Sequence, residues 1–130
     1  MDQDRQPISN PKLPDIKDRA FSFAVRVIKL CRILEANSWV AKSVSQLLRS
    51  ATSVGANLEE AVAGQSTADF LHKNGISLKE AREPNYWLRL ILASTELAPE
   101  VKKGIEELEQ ESMEIAKIIG KRIVTTKSHI

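Results

Sequence analysis

The chain has 130 residues, 42% of them hydrophobic and 28% charged, and a formal net charge of +2. This balance is typical of a single globular domain and argues against an intrinsically disordered chain. No apolar run approaches the roughly 20 residues that cross a bilayer, so we expect no membrane span.

The first fourteen residues hold three of the five prolines, Pro7, Pro11 and Pro14. They lack the apolar stretch of a signal peptide, and the one cysteine, Cys31, cannot form an intrachain disulfide. We therefore predict a flexible lead over residues 1–14, a folded domain over residues 15–125, a tail over residues 126–130, and a cytoplasmic location.

Two apolar stripes mark the first helix, for which Asp15 is the expected N-cap. The inner stripe recurs at steps of three and four residues, which is one helical face; it comprises Ile16, Ala20, Phe23, Val27, Leu30 and Leu34. The second stripe comprises Phe21, Ala24, Ile28 and Cys31. The core of one bundle does not need both stripes, so the second predicts contact with another protein or another copy.

The second helix has the most regular pattern, and Ser38 is its expected N-cap. Its inward residues are Val40, Val44, Leu47, Ala51, Val54, Leu58 and Ala61. This spacing is typical of helices that pack at shallow angles in bundles. Because Ala51 and Gly55 are small, another backbone can approach closely there. Gly55 lowers helix propensity by about 1 kcal/mol relative to alanine, which suggests a packing reason for it.

The third helix is the least regular, with Ser66 or Thr67 as its cap and Asp69 in its first turn. Its expected inward residues are Phe70, Leu71, Leu78, Ala81, Leu88 and Ile91. Pro84 lacks an N–H group and clashes with the carbonyl of Glu80, so we predict a kink or a broken turn at residues 81–84.

A connection over residues 93–99 leads to a fourth helix, which we expect to end near residues 120–125. Its inward residues are Val101, Ile105, Leu108, Ser112, Ile115 and Ile119. Four amphipathic helices with short connections, and no alternating strand pattern, predict an all-α, up-down-up-down antiparallel four-helix bundle.

Residues for catalysis or metal binding are few. His72 and His129 lie far apart, and Asp69, three residues before His72, has no further His or Cys at ligand spacing. Cys31 lies on an apolar stripe without a nearby histidine, which favours packing over nucleophilic reactivity. We expect neither an enzyme nor a cofactor.

Carboxylates on the third helix need a cation. Glu80 and Glu83 share a helix face with Trp87, so we expect partial burial and a pairing with Arg49 of the second helix. A di-metal carboxylate site would need Glu-x-x-His on two helices, which the chain lacks. The predicted network comprises Arg49, Ser50, Asn57, Glu60, Glu80 and Glu83. A ligand or partner site at these positions is the alternative.

Basic residues concentrate near two places in the chain. Four lie on the polar side of the first helix, namely Arg19, Arg26, Lys29 and Arg32. Four others lie near the C-terminus, namely Lys117, Lys121, Arg122 and Lys127. A bundle with one basic end could bind phosphates there, although solvated faces explain the same residues.

Two segments resemble the signature segments of the four-helix-bundle proteins of the S23 group, also called the 23S rRNA intervening-sequence proteins. They are residues 46–60, QLLRSATSVGANLEE, and residues 69–88, DFLHKNGISLKEAREPNYWL. The resemblance covers most of residues 20–125. Relatives of this bacterial family include the accessory variability proteins of diversity-generating retroelements, which form basic pentameric barrels and bind nucleic acid and a reverse transcriptase.

The resemblance implies a ring-like homo-oligomer, with five copies expected. It places Arg49, Ser50, Asn57, Glu60, Glu80, Glu83 and Trp87 on motif positions, and the chain departs from the usual helix formers at Asn74, Gly75 and Pro84. The interface candidates are Phe21, Ile28, Ala51, Gly55 and Trp87. Two hypotheses remain: a nucleic-acid-associated accessory protein that binds RNA or DNA, and a protein-binding scaffold that contacts no nucleic acid.

Overall fold

This computed structural model describes residues 15–34, 40–63 and 66–130 of the chain. These ranges contain four long helices. They are α1 (Ile16–Leu34), α2 (Ala41–Ala63), α3 (Thr67–Ser94) and α4 (Pro99–Lys127). Each helix packs mainly on two neighbours: α2 on α3, α3 on α4, and α1 on both α2 and α4. The all-α four-helix bundle predicted from the sequence is therefore confirmed. Within these described residues, no helix is both long enough and apolar enough to cross a membrane.

The core follows the regular patterns of α1, α2 and α4. Every predicted inward residue of α1 and α2 is buried, and so are those of α4 except Val101, which is half-buried. Phe23, Leu47, Leu88 and Ile105 are among the largest side chains with almost no exposure. Burial of each such side chain contributes roughly 1.5–3 kcal/mol, so this shared core is what holds the four helices together.

The third helix differs from its prediction in two ways. It continues without a break from Thr67 to Ser94 with Pro84 buried inside it, so the alternative of a broken turn was wrong. Its buried face also includes Asn74 and Ser77, whereas Phe70, Leu71 and Leu78 are only half-buried. Tertiary packing thus places small and polar side chains where the largest apolar ones were expected.

The helix ends agree with the sequence in part. Ser66 is the N-cap of α3, since its hydroxyl accepts the backbone N–H of Asp69 at 3.1 Å. The backbone carbonyl of Asp15 accepts the N–H of Arg19 at the start of α1. The fourth helix runs to Lys127, so its predicted end near residues 120–125 was too early. The predicted lead over residues 1–14 and the cap at Ser38 lie outside the described residues.

Candidate functional site

Arg49 of α2 lies between two carboxylates of α3. Its Nη1 atom is 3.1 Å from Oε1 of Glu80 and its Nη2 atom is 2.5 Å from Oε1 of Glu83. Its Nε atom also donates to Oε1 of Gln46 at 3.3 Å. The Glu80 side chain is only 14% exposed, but that of Arg49 is 47% exposed. The pair expected from the sequence is thus present, at the edge of the α2–α3 contact and not within it.

The rest of the predicted polar network is divided among separate interactions. Ser50 is fully buried and its hydroxyl bonds to the carbonyls of Gln46 and Leu47, one turn back in its own helix. Asn57 likewise donates to the carbonyl of Ser53. The idea that Ser50 and Asn57 join Arg49 in one network was therefore wrong, because the hydrogen bonds of both side chains go to backbone carbonyls of α2 itself.

Glu60 of α2 makes a second ion pair with α3. The Nζ atom of Lys73 lies 2.6 Å from Oε1 of Glu60, and both side chains are substantially exposed. Lys73 had no role in the sequence-based reading. The signal that would have found it is its spacing, seven residues before Glu80 on the same face of α3.

Trp87 lies half-buried against the core, at the α3 face that also carries Glu80 and Glu83. Its ring meets Tyr86 edge-on, with centroids 5.0 Å apart and an interplanar angle of 76°. Its Nε1 atom is buried and has no hydrogen-bond partner among the described residues. Tyr86 beside it is 51% exposed.

The basic residues of α1 are partly committed to acidic residues of α4. Arg19 makes a two-pronged pair with Glu111, with Nε–Oε2 and Nη2–Oε1 distances of 2.9 and 2.6 Å. The hydrogen bonds that Arg19 donates to the Glu111 carboxylate raise the pKa of Arg19 above its ordinary value, against the opposing effect of burial. Arg26 lies 3.8 Å from Glu107. These two cations hold α1 to α4 and are partly neutralised there.

The remaining basic candidates do not share one end of the bundle. Lys29 and Arg32 are exposed near the end of α1, whereas Lys121 and Lys127 are exposed near the end of α4. Because α1 and α4 are antiparallel, these pairs lie toward opposite ends of the bundle. Arg122 is half-buried, with its guanidinium 5.2 Å from the centre of the Phe70 ring.

Lys117 forms a long, exposed ion pair with Glu114. Its Nζ atom is 3.8 Å from Oε2 of Glu114 and its side chain is 71% exposed. An exposed pair at that distance contributes little, so Lys117 stays available to an anion in solution. Together with Lys121 and Lys127 it forms an exposed basic stretch of α4.

The interface candidates fall into two groups. Phe21 is 70% exposed and Ile28 is 43% exposed, one heptad apart on the outside of α1. Ala51 is fully buried, so it serves the core of this chain and offers no surface to another copy. A Cβ atom on Gly55 would lie 3.6 Å from Cβ of Ala20, which is ordinary contact within the bundle.

An apolar groove of about 320 Å³ lies between the end of α1 and the start of α4, with Leu30, Ile33 and Val101 among its walls.

In the part of the chain that the structure describes, no cluster of three His, Cys, Asp or Glu residues could hold a metal ion. Cys31 is buried, with Sγ 3.9 Å from the carbonyl of Val44. His72 is exposed on α3.

Comparison with known proteins identifies a family and solved structures that this chain resembles. The model of the 23S rRNA-intervening sequence protein family matches residues 14–121. A crystal structure of a protein of unknown function from the S23 ribosomal protein family of Bacteroides thetaiotaomicron is similar, at 38% identity and a TM-score of 0.75. The match covers 84% of this chain and 98% of that one. No curated protein matches the chain.

Proposed function

The chain belongs to the 23S rRNA-intervening sequence protein family, and we propose that it is a self-associating, non-enzymatic bundle that binds nucleic acid through the C-terminal part of α4. The observation that carries this proposal is the charge of α4 beyond Glu114. No acidic residue follows Glu114 up to Ile130. The basic residues in that stretch are Lys117, Lys121, Arg122 and Lys127.

The helix dipole does not account for this charge. A helix C-terminus attracts cations within its last turn, which explains Lys127 but not residues further back. Lys117 and Lys121 lie more than one turn before the end of α4. Such exposed, weakly paired cations favour contact with phosphates, which bind through counterion release.

Self-association would make a weakly basic chain an effective phosphate binder. A net charge of +2 gives one subunit little attraction for a polyanion. The exposed Phe21 and Ile28 side chains support a surface that another copy covers, since large exposed apolar groups mark interaction sites. The family resemblance leads us to propose a ring of five copies, which would multiply the α4 cations by that number.

The second candidate function is a protein-binding scaffold that contacts no nucleic acid. The same Phe21 and Ile28 surface favours it, because an apolar surface fits a protein partner whether or not RNA or DNA is present. The pairing of Arg19 with Glu111 also reduces the cationic surface that α1 offers to phosphates.

Binding to a structured RNA and to duplex DNA at low salt separates the two functions. We expect fluorescence anisotropy to show binding that weakens steeply with salt, with a logarithmic slope of about −0.9 per duplex phosphate contacted. The variant Lys121→Glu/Lys127→Glu should lose most of this affinity. Lys102→Glu/Lys103→Glu is the matched control, because it makes the same charge change at exposed positions near the other end of α4.

Two results would reject nucleic-acid binding through α4. If the unmodified protein binds neither probe at low salt, the scaffold is the better account. If the two double variants lose equal affinity, the attraction is a general effect of charge and the C-terminal part of α4 is not the site.

A further inference from the structure

The outward face of α3 carries basic residues that the sequence-based candidates omitted. Lys79, Arg82, Tyr86 and Arg89 recur at steps of three and four, which places them on one side of the helix. All four are exposed. We call this set the α3 basic face.

The carboxylates of α3 do not neutralise this face. Glu80 and Glu83 both point to Arg49, on the side of α3 that meets α2. Among the described residues, no carboxylate lies within ion-pair distance of Lys79, Arg82 or Arg89. Arg49 therefore pairs with the carboxylates of this stretch of α3. The cations of the α3 basic face are left without a carboxylate partner among the described residues.

Tyr86 supplies an aromatic surface in the middle of these cations. Its side chain is 51% exposed, and Trp87 meets its ring edge-on at 5.0 Å. The guanidinium of Arg89 lies 5.9 Å from the centre of the Tyr86 ring, while its Nε atom donates to Oδ1 of Asn85 at 2.9 Å. Asn85 in turn donates to the backbone carbonyl of Glu109 on α4. These contacts hold the aromatic ring and one cation in fixed relation to each other.

We propose that the α3 basic face binds single-stranded nucleic acid, with Tyr86 stacking on a base and Lys79, Arg82 and Arg89 contacting phosphates. Proteins that bind single strands combine these two features, an exposed aromatic ring and a row of cations that follows the backbone. A duplex keeps its bases stacked and offers only phosphates, so the aromatic ring distinguishes the two forms. The proposal rests on the proposed function, to which it adds the form of the nucleic acid and a second contact surface.

The two basic surfaces lie close in level along the bundle axis. Asn85 contacts Glu109, and α3 and α4 are antiparallel, so Lys79 lies at the level of residue 115 of α4. Lys117 and Lys121 follow within about two turns of that level. The cations of the C-terminal part of α4 therefore begin near the level of Lys79.

The test compares a fluorescent oligouridylate with a blunt-ended RNA duplex in anisotropy titrations at low salt. Tyr86→Ala should weaken oligouridylate binding about tenfold, the loss expected for one stacked base, and leave duplex binding unchanged. Tyr86→Phe should retain wild-type affinity, because it keeps the ring and removes only the hydroxyl. Arg82→Ala should lower the salt slope on the single strand by about 0.7, the value for one phosphate contact.

Three outcomes would overturn the α3 basic face as the site. In the first, the Tyr86→Ala variant binds oligouridylate at wild-type affinity while Lys121→Glu/Lys127→Glu loses that binding. The proposed function would then stand, but the α3 basic face would not be a binding site. In the second, polyglutamate displaces the strand, and this competition is weakened by Arg82→Ala but not by Tyr86→Ala. That result would indicate that the face binds an acidic protein partner instead. Absence of binding to either probe by the unmodified protein would reject the proposed function and this site together. Circular dichroism of each variant checks folding, which substitution at these exposed positions should not disturb.

Discussion

The hydroxyl of Ser77 in α3 donates a hydrogen bond of 2.9 Å to the backbone carbonyl of Val54 in α2. A side chain as short as serine can reach the backbone of a neighbouring helix only where the two helices approach closely. Ser77 and Ala81 of α3, and Ser50 and Ala51 of α2, are all nearly or fully buried. Small residues on both sides thus allow α2 and α3 to form the most extensive contact in the bundle.

Enlarging Ser77 should destabilise the protein more than removing its hydroxyl. We expect Ser77→Leu to lower the free energy of unfolding by about 3 kcal/mol, because the added carbons must push α2 and α3 apart. Ser77→Ala should lower it by only about 1 kcal/mol, since the Val54 carbonyl keeps its bond within α2. Urea denaturation measures both values.

Ser94→Leu is the control for these variants, because Ser94 is exposed near the end of α3 and its hydroxyl contacts only the nearby Leu90 carbonyl and Thr95 hydroxyl, not another helix. A Ser77→Leu protein as stable as the Ser94→Leu protein would show that the α2–α3 contact is looser than the bundle geometry requires.

The sequence predicted the fold wherever apolar residues recur at regular spacing, and it failed where small polar residues form the core. The inner stripe of α1 was correct to each residue, from Ile16 to Leu34. Asn74 and Ser77 were missed because polar side chains are not expected in a core. Each donates a hydrogen bond to a backbone carbonyl, those of Phe70 and Val54, while Oδ1 of Asn74 is buried without a hydrogen-bond partner among the described residues. Which carbonyl a side chain reaches depends on the helix contact, and a single-sequence pattern does not contain that contact.

The candidate site shows the same division. Opposite charges on neighbouring helices were enough to predict the pairing of Arg49 with Glu80 and Glu83. Ser50 and Asn57 share that part of α2, but they satisfy their hydrogen bonds locally. Local bonding of Ser and Asn side chains to the preceding turn competes with longer networks, and spacing alone does not say which one forms.

Removing Arg49 should lower the free energy of unfolding by more than the loss of a surface ion pair does, and by less than the loss of a buried one. We expect Arg49→Ala to lower the free energy of unfolding by about 1–2 kcal/mol, because Glu80 is mostly buried while Arg49 itself is half-exposed. Arg49→Ala in a Glu80→Gln background should lose less, since no carboxylate charge is then left without its cation at that position. Thermal and urea denaturation of the four proteins form a double-mutant cycle. A coupling energy near zero would mean that the ion pair does not stabilise the bundle.

Substitution by alanine should have similar effects on stability at two glycines in helix interiors of the isolated chain, Gly55 and Gly75. A Cβ atom on Gly75 meets nothing within 4 Å, so Gly75→Ala should raise the free energy of unfolding by about 0.5–1 kcal/mol through helix propensity. A Cβ atom on Gly55 meets Cβ of Ala20 at 3.6 Å, so Gly55→Ala should be tolerated and gain up to a similar amount. Urea denaturation measures both. Loss of stability in Gly55→Ala alone would indicate that another copy packs against Gly55.

In the proposed assembly, the exposed apolar residues of α1 predict which surface the copies would share. Phe21→Glu/Ile28→Glu should convert the assembly to a monomer of 14.5 kDa, because each carboxylate would have to lose its hydration inside an apolar contact. Light scattering after size-exclusion chromatography, over a range of micromolar concentrations, measures the mass.

Ile33→Glu is the matched control: Ile33 is 59% exposed on the same helix, but it lies at the groove shared with α4. It should leave the mass unchanged. If Ile33→Glu dissociates the assembly and the double variant does not, the copies meet at the α1–α4 groove. A monomer mass for the unmodified protein at every concentration would reject self-association itself.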